Sequence, residues 1–594
     1  MEPIWIKNYD AGFPTTMKYP DKTMYELFVD SVNANPSLFA CSFLGTKISF
    51  QSLLDLVDKT AFALTAMGMQ KGDVATICLP NTPHAVIAFY ALNKIGIVAN
   101  MVHPLTPSDE LFHNIQDTRS TCLFVLDAFL PKYIEMLTKT KNRYTIICSI
   151  PDYLSPAMKV GFYITKGRKI KKVKKDITML EWKDLLKESS FDSIKDTTKN
   201  PSKNNLNVIG QEASLLKDES LIETKQSYTR VINPDECAVY LHSGGTMGTP
   251  KTVMLSSANL NVLALQGPYI IGIQNPAGLS MATILPLFHG FGLCMGMHTM
   301  MVNGITAILV PQFSAESLAS LLIKEKPDFI AAVPTLLEGI MNNKSVQKQD
   351  LSYLKAVFCG GDTLTGELKT RFDQFLQEHK CNAQVREGYG LTETVTVCSV
   401  NPIGNNRANT VGLPLADILM KIVETGSEEE VAIGDSGEIC VTGPTVMMGY
   451  LDDLAATKEA IHMHGDGRSW VHTGDYGFMD IDGFFHFTQR IKRIIKVSGV
   501  PVFPSQIEDI IASIPGIKEV GAIGIPHPYK IQIVKAFVVL EDSSIKIEEM
   551  RKLITDVCLQ KTIRYAVPAQ IQFMEKLPRT KVGKIDIPAL EKEH

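Results

Sequence analysis

Short apolar runs alternate with amphipathic segments through the first part of the chain. A strand-length run at 76–79 precedes an apolar helical segment at 84–97, and two more such runs follow at 123–126 and 145–148. Strand-length runs separated by helical ones predict a mostly parallel α/β sheet. Asn81 lies in the turn after the first run, where a polar cap is its simplest interpretation.

One stretch, 252–315, contains no Asp, Glu, Lys or Arg and has to be weighed as a membrane segment. A spanning helix needs about 20 consecutive apolar residues. Here Pro268, Pro276 and Pro286 interrupt the run, and glycines and polar residues are spread through it. We therefore predict a buried core with an apolar pocket rather than a span.

The second half carries strand signals that end in turns. Strands are predicted at 328–333 and 356–359, and Gly360 and Gly361 follow the second of them. Asp482-Gly483 between two alternating runs predicts a β-hairpin.

The last part, 491–594, has the size of a small domain. Strands are predicted at 520–524 and 536–540 and a helix at 547–562, with Ser505 as the N-cap of an earlier helix.

Composition narrows the classes of function and the compartment. The chain has 594 residues and a net charge of −4, so several subdomains are expected and nucleic acid is not an expected partner. Its 11 cysteines are scattered singly, which signals neither a structural zinc site nor a disulfide framework and fits a reducing compartment. The first residues hold no apolar signal core, so a cytoplasmic location is predicted.

Two polar segments precede the central glycine-rich loop. Seven of the ten residues in 166–175 are Lys or Arg, and apolar residues stand just before them. A solvated surface is the favoured interpretation, and a peripheral contact of 160–175 with anionic lipid is the alternative. The stretch 188–230 is predicted to be a long polar loop insertion without an assigned role.

The segment 240–251 combines the features of a phosphate-binding loop. Glycine lets backbone N–H groups approach an anion, hydroxyls add donors, and lysine adds a positive charge. The residues concerned are Ser243, Gly244, Gly245, Thr246, Gly248, Thr249 and Lys251. A turn is the alternative, and the segment is not a Walker A motif because Pro250 stands where that motif has glycine.

A second polar group lies in 387–394. There Tyr389 offers a flat face for adenine, Thr392 offers a hydroxyl for phosphate, and Glu393 offers a hard oxygen ligand for Mg²⁺. Each residue alone would be an ordinary surface group.

Together these segments resemble the adenylate-forming superfamily, which contains the acyl-CoA synthetases, firefly-type luciferases and peptide-synthetase adenylation domains. The similarity covers essentially the whole chain, through 240–251, 286–292, 387–394, 473–475 and 577–585 in the family's order. Two departures are mild: Thr252 replaces the usual glycine after Pro-Lys, and Arg493 replaces a commonly acidic residue.

The resemblance implies an α/β fold with two domains. A large N-terminal AMP-binding and acyl-substrate domain, 1–490, would hold two doubly wound sheets and a small β-barrel-like part. A small mobile α+β domain, 491–594, would carry the catalytic lysine.

The resemblance also implies roles for particular residues. Lys584 would be the catalytic lysine, with Thr392, Glu393 and His289 at the reacting groups, and Glu393 would hold Mg²⁺. Lys492 would be the hinge between two domain orientations. Contacts to nucleotide or CoA are implied for the phosphate loop and for Gly360, Gly361, Gly388, Tyr389, Asp475, Arg490, Lys496 and Gly499.

The implied activity is an ATP-dependent acyl-CoA ligase that acts through acyl-AMP, with ATP, Mg²⁺ and CoA as cofactor and co-substrates. The motif 286–292 has no aspartate to pair with an α-amino group, which favours a fatty acid over an amino acid. Two alternatives stay open: a ligase that loads a separate carrier protein, and a membrane-associated fatty-acid uptake protein with weak ligase activity. A homodimer is also left open.

Overall fold

A computed structural model describes residues 3–140, 142–165, 167–171, 173, 178–188, 232–243, 251–498, 500–542, 545–580 and 584–593. Within these residues the strands form four sheets. We call them the N-terminal, central, small antiparallel and C-terminal sheets.

The N-terminal sheet has eight strands in the order β19-β9-β8-β4-β3-β5-β6-β7, and the six from β8 to β7 are parallel. Its strands β3, β4 and β5 are buried throughout, which is why the sequence shows them as continuous apolar runs. The strands are β3 (Val74–Cys78), β4 (Val98–Met101), β5 (Cys122–Leu126), β6 (Tyr144–Cys148), β7 (Met179–Glu181), β8 (Cys237–His242), β9 (Thr252–Ser256) and β19 (Gly449–Tyr450).

The central sheet has nine strands in the order β16-β15-β14-β13-β12-β10-β11-β1-β2, with parallel pairing from β14 to β1. Parallel strands end at one edge, so the residues after β13 and β14 lie side by side. The strands are β1 (Phe39–Phe43), β2 (Thr46–Ser49), β10 (Ser280–Thr283), β11 (Thr306–Leu309), β12 (Phe329–Ala332), β13 (Ala356–Cys359), β14 (Val385–Tyr389), β15 (Ser399–Val400) and β16 (Leu413–Pro414).

The two remaining sheets are smaller. The small antiparallel sheet contains β17 (Leu419–Val423), β18 (Ser436–Thr442), β20 (Ile461–Met463), β21 (Ser469–Met479) and β22 (Phe485–Arg490). The C-terminal sheet contains β23 (Ile495–Val497), β24 (Val500–Val502), β25 (Ile517–His527), β26 (Ile531–Leu540) and β27 (Gln570–Phe573).

Helices cover the sheets and fill the space between them. The α-helices are α1 (Met24–Ala34), α2 (Phe50–Ala66), α3 (Pro83–Lys94), α4 (Ser108–Asp117), α5 (Leu130–Leu137), α6 (Pro156–Thr165), α7 (Trp182–Glu188), α8 (Ser257–Ile271), α9 (Thr299–Val302), α10 (Ala315–Lys324), α11 (Pro334–Met341), α12 (Gly366–Glu378), α13 (Leu454–Ala460), α14 (Pro504–Ala512), α15 (Ile547–Lys561) and α16 (Ile587–Lys592). A π-helix spans Phe291–His298, and 3₁₀ turns span Ile4–Asn8, Ile150–Tyr153, Gly167–Lys169, Thr392–Thr394 and Ile491–Arg493.

Helix α3 shows why the sequence is apolar on every side at 84–97. Its residues from Pro83 to Asn93 are all buried, and it packs against α1 and α2. A helix that is apolar all round belongs inside the protein, and this one lies in the main core.

The main sequence predictions of the fold are confirmed. The chain is an α/β protein with two large, mostly parallel sheets, a small antiparallel β part and a smaller α+β unit at the C-terminus. The hairpin predicted at Asp482-Gly483 joins β21 to β22, and Gly483 has a φ of 88°. The helix predicted over 547–562 is α15.

The uncharged stretch 252–315 folds as core. It forms β9, α8, β10, the π-helix, α9 and β11 in turn. Among the described residues, no helix combines the length and apolarity that crossing a membrane would require.

Two predictions of helix caps were wrong. Thr82, not Asn81, is the N-cap of α3, while the Asn81 amide donates to the carbonyls of Thr283 and Leu285. A buried amide is more stable when all its groups are bonded, and these partners are far away in sequence. Likewise Phe503 precedes α14, and the Ser505 hydroxyl donates to Gln489.

The predictions for the polar segments are not tested. Helix α6 exposes Val160, Tyr163 and Ile164, and part of the following basic run lies outside the described residues. The insertion at 188–230 also lies outside them, except for its first residue.

Burial of His298 predicts a dependence of stability on pH. Its ring bonds to the Tyr90 hydroxyl (2.8 Å) and Asn261 (2.9 Å), and burial lowers its pKa to about 3. Between pH 6.5 and 3, His298 binds a proton in the unfolded chain but not in the folded chain. The free energy of unfolding therefore falls as pH falls through this window, by up to about 1.4 kcal/mol per pH unit. We expect the thermal midpoint to fall less between pH 7 and 5 in His298→Gln than in the wild type.

The exposed His113 supplies the control, since His113→Gln should keep the wild-type pH dependence. An equal fall in His298→Gln and the wild type would contradict the assignment.

Candidate active site

One cleft of about 3100 Å³ collects most of the residues predicted from sequence. Its lining includes Ser243, Lys251, His289, Gly360, Gly361, Gly388, Tyr389, Thr392, Glu393, Asp475, Arg490, Lys492 and Lys584. Lys496 is exposed on β23 and does not line the cleft. Gly244, Gly245, Thr246, Gly248, Thr249 and Gly499 lie outside the described residues.

One residue of the cleft lining, Asp475, has a buried carboxylate that two other side chains contact. Asp475 on β21 pairs in register with Arg490 on β22, and the guanidinium Nε lies 2.9 Å from Oδ1. The Tyr389 hydroxyl donates to Oδ2 at 2.6 Å. Burial raises the pKa of Asp475, and the Arg490 charge is the largest effect that opposes this rise. Three separate segments therefore meet at one carboxylate.

Glycines let the ends of β13 and β14 approach each other and the cleft. A Cβ on Gly360 would lie 3.1 Å from the carbonyl oxygen of Gly388, and Gly361 has a φ of 79°. Neither position suits a larger residue. The Tyr389 ring stacks on Phe487 with a centroid distance of 6.2 Å, which fixes one face of the ring.

Glu393 and Lys251 are connected through a residue that the sequence did not single out. Tyr450 donates to Glu393 Oε1 at 2.8 Å, and Lys251 Nζ lies 4.8 Å from the centre of the Tyr450 ring. Tyr450 reaches this place because β19 pairs with β9, just after the glycine-rich loop. The Ser243 N–H donates to the Lys251 carbonyl at 3.0 Å and closes that loop at its base.

A strained turn joins the Glu393 segment to the His289 segment. Val395 has φ 67° and ψ −62°, and the Thr396 N–H donates to the Thr394 carbonyl, which is a γ-turn. A Cβ on Gly290 would lie only 2.0 Å from the Val395 carbonyl oxygen. The two segments thus touch backbone to backbone.

His289 is a neutral imidazole near pH 7. Burial and the nearby charge of Lys584 lower its pKa to about 4, and its Nδ1 accepts from the Phe291 N–H. It lies two residues before the π-helix, a rare form that is frequent at functional sites.

Lys584 reaches the same cleft from the C-terminal end of the chain. The Lys584 N–H donates to the Thr580 hydroxyl, and its carbonyl accepts from the Thr580 N–H. The side chain is exposed at the cleft wall. Loss of hydration inside the cleft lowers the pKa of Lys584. The negative charge of Asp362 opposes this lowering, and the positive charge of Arg490 adds to it. Lys584 is also close enough to counteract the rise in the pKa of Asp475.

Comparison with known proteins identifies the family of the chain. The family model described as AMP-binding enzyme matches residues 28–451, and the model for its C-terminal domain matches 506–584. The chain belongs to the AMP-binding enzyme family. The predicted membership of the adenylate-forming superfamily is therefore confirmed.

Curated relatives match over nearly their whole length. A long-chain-fatty-acid–CoA ligase of Bacillus subtilis (strain 168) is 30% identical over 587 residues, which cover 98% of this chain and 96% of the relative. A ligase of the same name from Escherichia coli O157:H7 is 29% identical over 595 residues, with 98% and 97% covered.

Solved structures share the fold. MatB from Rhodopseudomonas palustris with ATP has a TM-score of 0.77 at 21% identity, with 96% of this chain and 99% of MatB covered. The anthranilate CoA ligase AuaEII in complex with anthranoyl-AMP has a TM-score of 0.76 at 20% identity, with 98% of each chain covered.

A polar network in this AMP-binding enzyme surrounds His242, at the end of β8. His242 Nε2 lies 2.7 Å from the Asn100 side-chain oxygen, and the Thr252 hydroxyl lies 3.2 Å from Nδ1. Burial lowers the pKa of His242 to about 4. Thr252, the departure from the usual glycine, thus has a structural role in this network.

Arg493, the second departure from the family's pattern, also has a bonding partner in the structure. Arg493 follows Lys492 in the 3₁₀ turn Ile491–Arg493 and bonds to Glu508 at 2.5 Å. The Glu508 carboxylate also accepts from the Ala522 N–H at 2.8 Å. Arg493 thus anchors the segment after Lys492 to α14 and β25.

The contact between Gly290 and Val395 yields a mutational prediction. Gly290→Ala would drive a methyl group into a backbone carbonyl, so we expect destabilisation of about 1–3 kcal/mol and weaker AMP binding. Thermal melting and calorimetric titration with AMP would measure both. Gly296→Ala, within the π-helix that follows Gly290, is the matched control, because the nearest contact of its added methyl group would be an ordinary 3.5 Å. Equal effects of the two substitutions would refute the argument.

Proposed function

We propose that this enzyme activates a long-chain fatty acid with ATP to form acyl-AMP and then transfers the acyl group to CoA. The observation that carries the proposal is the convergence of Asp475, Arg490, Tyr389 and Lys584 on one cleft whose lining also contains many apolar side chains. The names of the curated relatives support the same substrate class.

Apolar side chains in the cleft lining support an aliphatic substrate. They come from α8, the π-helix, α9 and the strands β10 and β12, together with Ile305 just before β11: Ile270, Ile271, Met281, Met295, Met300, Ile305 and Phe329. None of these carries a charge, so an alkyl chain placed there would leave water without stranding a polar group.

The nucleotide would bind at the polar residues of the cleft. Asp475 would accept hydrogen bonds from the ribose hydroxyls, with Arg490 holding the carboxylate in position. Tyr389 would lie against the adenine, and Gly360 and Gly361 would let it approach the backbone. The segment 243–251 and Lys251 would surround the phosphates.

Charge neutralisation would drive the first half-reaction. The carboxylate of the acid attacks the α-phosphorus in line, and pyrophosphate leaves. Glu393 has the hard oxygen that Mg²⁺ prefers, and Thr392 and Lys584 would supply donors to the developing negative charge. The neutral His289 would line the site of the reacting carboxylate without adding a positive charge.

Rotation of a C-terminal domain would separate the two half-reactions. We place the division at 490/491, with Lys492 as the hinge. Lys584 lies in the cleft while Lys496 lies outside its lining, which is the arrangement that adenylation requires. Rotation about Lys492 would withdraw Lys584 and bring Lys496 and Gly499 towards CoA, whose thiol attacks the acyl carbon and releases AMP.

Separate assays of the half-reactions test the proposal. Lys584→Ala should slow acid-dependent ATP–pyrophosphate exchange by about 10²–10³-fold, because a charged donor to the transition state is lost. It should leave the reaction of preformed palmitoyl-AMP with CoA near the wild-type rate. Lys592→Ala, an exposed lysine of α16, is the control for loss of charge.

The same exchange assay fixes the substrate class. Palmitate should support much faster exchange than acetate or benzoate in the wild type. Equal loss of both half-reactions in Lys584→Ala would contradict the assigned role, and a preference for benzoate would contradict the fatty-acid assignment.

A further inference from the structure

Three histidines of the small antiparallel sheet form a cluster that the adenylation chemistry does not use. His462 and His464 are two positions apart on β20 and the residues just after it, and His472 lies on β21. Side chains two apart in a strand share one face. Since His462 pairs with Trp470, and His472 follows Trp470 by two, all three imidazoles lie on the same face.

The three rings are close enough to share one ion. One ligand nitrogen from each lies within 4.8 Å of the other two, and the Nε2 atoms of His464 and His472 are 2.9 Å apart. Tetrahedral Zn²⁺ with bonds of 2.0–2.1 Å requires nitrogens about 3.4 Å apart. The 2.9 Å separation is shorter than this value and no separation exceeds 4.8 Å, so small side-chain rotations would complete the geometry.

A carboxylate orients one of the rings from behind. His472 Nδ1 lies 2.9 Å from Glu438 Oε2, while its Nε2 points into the cluster. Metal-binding histidines commonly donate their second N–H to a carboxylate in this way. His464 is 4% exposed, and its Nδ1 has no hydrogen-bond partner. The nitrogen of His464 that faces the cluster is Nε2, so burial positions this ring without a hydrogen bond at Nδ1.

We propose that His462, His464 and His472 bind a divalent transition-metal ion, with Zn²⁺ as the best match to three neutral imidazoles. His462 and His472 line the large cleft, so the fourth ligand position faces solvent and would take a water molecule. The site is independent of the fatty-acid assignment, because none of its ligands belongs to the adenylation machinery.

The proposed site is connected through Glu438 to the segment that carries Asp475. Glu438 accepts from both the His472 ring and the Gly474 N–H, the latter at 2.9 Å. A metal on His472 would therefore stiffen the Thr473-Gly474-Asp475 turn through one shared carboxylate.

The alternative to a metal ion is a proton shared between His464 and His472. His462 distinguishes the two arrangements, because only the metal ion needs it as a ligand. A hydrogen-bonded chain from Glu438 through His472 to His464 needs no third imidazole. His462 contacts the His472 ring at a centroid distance of 4.2 Å. His462→Phe keeps an aromatic ring beside His472 and removes both ring nitrogens, one of which would be the metal ligand.

Calorimetric titration of the chelator-treated full-length protein with Zn²⁺ is the first test. We expect one equivalent to bind and the affinity to fall at least tenfold in His462→Phe. His527→Phe, which removes an imidazole from β25, should bind like the wild type. Absence of binding, or unchanged affinity in His462→Phe, would overturn the proposal.

X-ray absorption of the Zn²⁺-loaded wild type avoids any question of variant folding. Three imidazole ligands and one oxygen are the expected coordination. Thiolate ligands would overturn the proposal, because they would place the ion at the chain's cysteines instead.

Discussion

The pairing of Asp475 with Arg490 and Tyr389 is the interaction on which the rest of the site depends. A carboxylate that is 1% exposed is costly unless it is paired and bonded, and here Arg490 and Tyr389 supply both. Tyr389 ends a strand of the central sheet, Asp475 and Arg490 belong to the small antiparallel sheet, and the 3₁₀ turn with Lys492 follows at once. One buried charge therefore ties two sheets together and sets the start of the path to the C-terminal sheet.

Close backbone contacts are a second constraint on the segments that surround Asp475. Gly360 lies against the end of β14, and Gly290 lies against the strained turn at Val395. A γ-turn at a β-branched residue costs free energy and persists only where its surroundings enforce it. The segments of His289 and Glu393 thus have little freedom to move apart, which suits a site that must hold an acid and a nucleotide in line.

The strands and most of the cleft residues could be predicted because their signals are local. Apolar runs gave β3, β12 and β13, and the motifs gave Asp475 and Lys584, whose presence in one cleft was expected from the resemblance alone. Tyr450, the partners of Asn81 and the strain at Val395 could not be predicted, since each depends on a pairing between distant segments. The histidine cluster has a local signal that could have predicted it, an H-x-H run (His462 and His464) before His472 in one hairpin, whereas the single cysteines gave no sign of a metal site.

The affinity of Asp475→Asn for AMP tests the central claim most directly. The substitution keeps the shape of the side chain and removes the charge that Arg490 balances. We expect AMP binding to weaken by about tenfold or more, with the chain still folded, because hydrogen bonds to a charged group are lost. Calorimetric titration would measure it, and wild-type affinity in this variant would show that the nucleotide does not bind at Asp475.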